Sequence, residues 1–164
     1  MTYLITFSCY ASHLHGNELG SVDRDHNLPG SRLLEFDPRR LQAIQRSMRQ
    51  PPYLLDRLRR SAVLKGLQGI CSYRGWTLLA AHVRTNHVHV VVDAEARPEK
   101  VLNDLKSYAS RHLNQSGIDE VNRKRWARHG STRWLWSREE LSAAIRYVID
   151  GHGEAMAVFE TSEI

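Results

Sequence analysis

Hydrophobic and polar positions along the chain change period several times, and each change predicts an element. Residues 2–11 alternate, with Leu4 and Thr6 opposing Ile5 and Phe7, as a β-strand does. HLHGNELGSVDRDHNLPGS, rich in Gly, Asn, Asp and Ser, then reads as a loop insertion over about 13–31. Asp37-Pro38 starts a helix, a side-chain cap followed by a proline where no N–H is needed. It runs to about Gln50, where Pro51-Pro52 breaks it. A second helix extends from about Leu54 to Ser72 and ends at Arg74-Gly75. WTLLAAHVRT (76–85) and HVHVVVDA (87–94) are β-rich and form a hairpin about Thr85-Asn86. Pro98 opens a helix to about Asn114 or Gln115; residues 116–130 read as a basic loop or short helix, and GSTRWLW as an extended segment. Ser137 with Glu140 forms a capping box, and Leu141, Ala144, Ile145 and Val148 give the last helix its apolar stripe.

Strands mixed with one-faced helices predict an α+β fold with a largely antiparallel sheet. At 164 residues the chain suits one domain, residues 1–164, able to bury a core without disulfides. Cys9 and Cys71 have no metal-ligand spacing, so a reduced, cytoplasmic setting is expected. The apolar opening MTYLITFSCYAS lacks a basic flank and is too short to span a bilayer, so no membrane partner is expected.

The formal charge is +5, unevenly spread. Lys and Arg outnumber Asp and Glu by 9 to 2 in residues 37–74 and by 10 to 4 in residues 97–138. In 139–164 the balance reverses to 1 against 6, which reads as an acidic tail over about 153–164. A basic face set against an acidic end fits a phosphate-rich partner.

In a strand His87 and His89 point the same way, while Val88, Val90 and Val92 point to the core. Two imidazoles on one rigid strand make half of a divalent-metal site, although partly solvated sheet histidines would look the same. His13-Leu14-His15 has the same spacing but no valine-rich scaffold, and reads as loop histidines. Val91 stands where a histidine triad would need its third member.

TNHVHVVV resembles the HUH motif (histidine, bulky hydrophobe, histidine) of the single-tyrosine transposases, in particular their insertion-sequence and REP-associated branch. The resemblance continues in order through YLITF, LKSYASRHLN, WLW and IRYVIDG. It implies a ferredoxin/RRM-like antiparallel sheet carrying the His-x-His pair on a central strand, flanked by helices. It also implies metal-dependent cleavage and rejoining of single-stranded DNA near hairpins through a 5′-phosphotyrosine.

Tyr147, in AIRYVIDGHG, is the nucleophile the resemblance implies, with Tyr108 the alternative. Members commonly place Gln or Asn four residues after the tyrosine; here Gly151 stands there. His152 is therefore the expected third ligand beside His87 and His89, with Asp150 the alternative. Mg²⁺ or Mn²⁺ suits phosphoryl transfer, and zinc stays open.

Arg39, Arg40, Arg57, Arg59, Arg60, Arg123, Lys124, Arg125 and Arg128 are candidate phosphate contacts, and Trp134 and Trp136 candidate base-stacking residues. Trp126, a third tryptophan among basic residues, is open to the same reading, with core packing expected for one or two of the three. The expected partner is single-stranded or hairpin DNA in a nucleoid-associated setting; the resemblance implies homodimers in many members and monomers in others. Two alternatives stay open: a hairpin-DNA or RNA binder that has lost cleavage, and an HUH nuclease or relaxase-like nicking enzyme.

Overall fold

The computed structural model describes residues 1–12 and 37–162. The insertion at about 13–31, with His13 and His15, lies outside the described residues. The described elements are β1 (Thr2–Cys9), α1 (Pro38–Ser47), α2 (Arg57–Arg74), β2 (Thr77–Val83), β3 (His87–Asp93), α3 (Pro98–Ser116), β4 (Trp126–Leu135), α4 (Arg138–Asp150) and β5 (Ala157–Glu160). They fall into two compact units, Met1–Tyr10 with Tyr53–Ile164, and Ala11–Pro52. The second unit contains α1, whose first amides, Arg39 N and Arg40 N, donate to Asp37.

In the first unit the sheet order is β4-β1-β3-β2-β5, with every pairing antiparallel. The run β1-α2-β2-β3-α3-β4 with order 4-1-3-2 is the ferredoxin-like arrangement, and β3, which carries His87 and His89, is central. β3 is buried on both faces, which accounts for its near-continuous apolar sequence. Val88, Val90 and Val92 join Tyr3, Ile5 and Phe7 in a core closed by α2 and α3. Val91 faces the other way, into a smaller core with Ala80, Leu135 and the α4 residues Ala144, Ile145 and Val148. The stripe expected on the last helix is the face it buries.

Four boundaries differ from the sequence reading. α1 ends at Ser47, short of Gln50 and the two prolines, because Met48 is already extended. α2 begins at Arg57 because Asp56 caps it through Arg59 N at 2.9 Å; Tyr53 and Leu55 are instead buried in an extended stretch. β4 begins at Trp126, inside the stretch read as a basic loop, where Trp126 packs edge-on against Phe7 at 5.0 Å. The acidic tail contains β5, which pairs with β2 through Val158 opposite His82 and Phe159 opposite Ala81. Four residues after a glycine-containing turn carry too short an alternation to be read as a strand.

Helices α2 and α3 meet at Gly66, where an added Cβ would lie 2.9 Å from Ala109 Cα and from the Tyr108 carbonyl oxygen. At Gly69 on the same helix it would meet only the His112 imidazole, at 3.6 Å. Gly66→Ala should therefore destabilise the protein by about 1–2 kcal/mol, overpacking outweighing the gain in helix propensity. Gly69→Ala should be neutral or stabilising by up to about 1 kcal/mol. Chemical denaturation of the two variants checks the contrast, which vanishes if the helices can simply separate.

Candidate active site

The registers of β1 and β2 against β3 set Thr6, His89 and His82 side by side across the sheet. All three lie on the face covered by α4. His87 is two residues before His89 on the same strand face. α4 runs back over this face, and at its end Gly151 and Gly153 turn the chain, the latter with φ of 72°. That turn returns His152 to the strand.

The ligand atoms of His87, His89 and His152 lie within 4.8 Å of one another. The His89 and His152 rings stack at 4.2 Å, and the His87 ring stands 4.8 Å from that of His89. Asp150 is exposed and not part of this group. A Cβ on Gly151 would sit 2.5 Å from the Tyr147 carbonyl oxygen, so this backbone admits no side chain at that position. Tyr147, 47% exposed, approaches the group edge-on, its ring 4.6 Å from His152 and 5.5 Å from His89.

Two neighbours orient the pair. Asn86 Oδ1 can only accept, so His87 Nδ1–H donates to it at 2.7 Å, which fixes the tautomer with the lone pair on Nε2. Thr6 Oγ1 lies 2.8 Å from His89 Nδ1 and holds that ring in place; its hydroxyl can accept from Nδ1–H in the same way. Nε2 of His89 and Nε2 of His152 are buried with no hydrogen-bond partner, a costly arrangement that a bound cation would relieve. An all-imidazole donor set fits a divalent transition-metal ion better than Mg²⁺, which prefers oxygen.

Burial pushes the His89 imidazole down to about 3, with the charges of His87 and His152 adding to the effect. Burial also lowers His152 and His82, and the nearby Arg84 guanidinium contributes to both shifts. Neutral imidazoles are the form that binds metal.

Sequence reasoning missed four residues here: Thr6, Asn86, His82 and Arg84. Asn86 adjoins the His pair in sequence and was legible in principle. Thr6 and His82 arrive through strand register, which leaves no local signal. Arg84 Nη1 donates to the Glu154 carbonyl at 3.0 Å, a contact only the returning chain creates.

The other candidates scatter. Tyr108 sits on α3, beyond the opposite face of the sheet, stacked on Tyr73 at 6.1 Å with Arg111 above its ring. Arg125 is buried, its guanidinium held by Asp119 at 3.0 Å and Asn114 at 2.8 Å, and so is withdrawn from a DNA face. Arg59 is committed to the same Asp119 and to Asp56, and Arg60 donates to the Leu55 carbonyl. Arg39, Arg40, Arg57, Lys124 and Arg128 are exposed, and Arg123 is half-buried over the Tyr53 ring. Trp126 is anchored internally through Nε1 to Ser110. Trp134 packs on Tyr3, and Trp136 stacks on Trp134 at 5.0 Å and is 78% exposed. Tyr3 and Trp134 pair at the end of β1 remote from Ser8, the partner of His87, and on the α2/α3 face.

The family model described as "Transposase IS200 like" matches residues 46–140, more than half of the chain. The chain belongs to this family. The IS200-like match contains His87 and His89 and ends before Tyr147 and His152. Among solved structures, that of a REP-associated tyrosine transposase bound to a REP hairpin has the same fold. It superposes with a TM-score of 0.50 at 10% identity, over 93% of this chain and 68% of that chain. No curated protein matches. For this IS200-like chain the family implies a DNA-cleaving enzyme, and no helix among the described residues is long and apolar enough to cross a membrane.

A His89 that is neutral when folded has a pKa depressed below its unfolded value, so its contribution is present above about pH 6.5. As pH falls, the unfolded chain takes up the proton first, and that stability drains away toward about 3. The urea midpoint of metal-free protein should therefore hold nearly level from pH 7.5 to about 6.5 and fall steadily from there to pH 4.5, and that slope should flatten in His89→Asn. An unchanged midpoint across that range would contradict a buried neutral imidazole.

Proposed function

We propose that the protein is a metal-dependent transposase that cuts and rejoins single-stranded DNA beside hairpins through a phosphotyrosine at Tyr147. The observation that carries this reading is the pair of unpartnered buried Nε2 atoms, on His89 and His152, lying against the Tyr147 ring. Its half-exposed position lets a DNA strand reach the phenol from solvent. The Tyr147 oxygen attacks phosphorus, the bond to the 3′ oxygen breaks, and the phenolic proton ends on the released 3′-hydroxyl. Attack by another 3′-hydroxyl reverses these changes and joins strands without an external energy source.

His87, His89 and His152 would hold the ion, Mn²⁺ ahead of Mg²⁺ on donor chemistry. A cation bound there supplies polarisation of the scissile phosphate. Asn86 and Thr6 keep the imidazoles turned inward, and Arg84 adds positive charge where the phosphate would lie. Arg39, Arg40, Arg57, Arg123, Lys124 and Arg128 are the proposed phosphate contacts away from the cut, and Trp136 the proposed stacking surface. A hairpin substrate is supported by the similar fold having been seen on a REP hairpin.

Labelled single-stranded DNA flanking a hairpin, incubated with Mn²⁺, should yield a covalent protein–DNA adduct resistant to denaturation. Tyr147→Phe should abolish the adduct, Tyr108→Phe should leave it, and His152→Ala should lose it. Adduct persisting in Tyr147→Phe would overturn the nucleophile. Hairpin binding with no adduct would favour a non-cleaving relative, and free ends without adduct a plain nuclease.

Removing an orienting partner should be milder than removing a ligand. Thr6→Val and Asn86→Ala should each weaken Mn²⁺ binding by about 10–100-fold in calorimetric titration. Wild-type affinity in both would show that the imidazoles need no such support.

A further inference from the structure

His152 stands on a turn with little of its own to hold it. Gly151 and Gly153 flank it, and residues 153–156 are exposed. Two groups hold the turn from outside: Arg84, whose Nη1 donates to the Glu154 carbonyl at 3.0 Å, and His82 on β2. His82 is fully buried beneath it, with both ring nitrogens engaged. Its Nε2 lies 3.1 Å from the Met156 amide nitrogen, which can only donate, so Nε2 accepts and Nδ1 carries the proton. Nδ1–H then donates to the Val148 carbonyl at 2.9 Å. Val148 directly follows Tyr147 in the last turn of α4, where carbonyls lack helical partners. Met156 leads into β5. One ring thus ties together the two flanks of the turn that presents His152. The same bonds explain why a fourth imidazole, 6.1 Å from that of His152, is outside the ligand group.

We propose that His82 is a positioning residue, clamping the end of α4 to the start of β5 so that Tyr147 and His152 meet the His87/His89 pair. The inference rests on the ligand reading above only for its metal readout, and the clamp itself has a readout without metal.

The experiment uses the full chain as wild type, His82→Leu, His82→Asn and His82→Gln. His82→Asn can keep the bond to Val148 but falls short of Met156; His82→Gln can reach the Met156 amide. In metal-free protein followed by amide hydrogen exchange, His82→Leu and His82→Asn should speed exchange at Met156 about tenfold, leaving the α2 and α3 amides unchanged. His82→Gln should restore protection there. In Mn²⁺ titrations His82→Leu should bind about 10–100-fold more weakly than wild type, and His82→Gln should recover part of the loss. Unchanged exchange at Met156 in His82→Leu and His82→Asn overturns the clamp, and so does wild-type Mn²⁺ affinity in both. If His82→Leu does not fold, His82→Asn and His82→Gln decide by the same two measurements. Should wild type and His152→Ala bind Mn²⁺ equally, the ligand reading fails, while the exchange data still judge the clamp.

Discussion

The structure depends on the parity of one strand. β3 is hydrogen-bonded on both edges and buried on both faces from Val88 to Val92, so each of those residues is turned to one side of the sheet or the other. Val88, Val90 and Val92 fill the α2/α3 side, which leaves His87, His89 and Val91 for the α4 side. A slip of one residue would drive the imidazoles into the larger core and the valines under α4. The burial energy of the valines therefore holds the histidines where a second core is deliberately incomplete. That register also aligns Thr6 and His82 with His89, supplying both an orienting hydroxyl and the anchor of the returning turn.

Charge is divided with the same economy. The carboxylate of Asp119 collects Arg59, Arg125 and the Tyr53 hydroxyl; burial alone would raise its pKa, but the hydrogen bonds from those three side chains hold it down. Lys106 is buried and donates to the Ala127 and His129 carbonyls, beside the irregular stretch where β4 shifts register against β1. These cations serve the scaffold. Around the imidazoles, by contrast, the group contains no carboxylate, and Arg84 leans in from the hairpin. Neutral nitrogen lone pairs beside a positive charge suit a site where a cation and a phosphate arrive together.

Much of the fold could be read in advance because its signals are local. Asp37-Pro38, Ser137 with Glu140, and Gly75 mark helix ends through bonds made within a few residues. The alternation in β1 and β3 marks the sheet. β5 escaped because its partner is β2, distant in sequence, and its own four residues carry almost no pattern. The basic segments were legible as charge but not as function. Nothing in the spelling of RKRWAR tells that Arg125 is buried and Lys124 exposed, since that division follows from which guanidinium reaches Asp119.

By itself the sequence determined that His87 and His89 share a strand face, that a capped helix carrying Tyr147 follows, and that Gly151 leaves an empty position after it. Period-two and period-3.6 geometry make those statements independent of the rest of the chain. Only the tertiary structure decided that α4 lies on the imidazole face and α3 on the other, which separates Tyr147 from Tyr108. It also decided that His152 and not Asp150 joins the pair, because the turn past Gly151 is pulled back by His82 and β5. Those outcomes come from pairings between segments far apart in sequence, and such pairings leave no periodic trace.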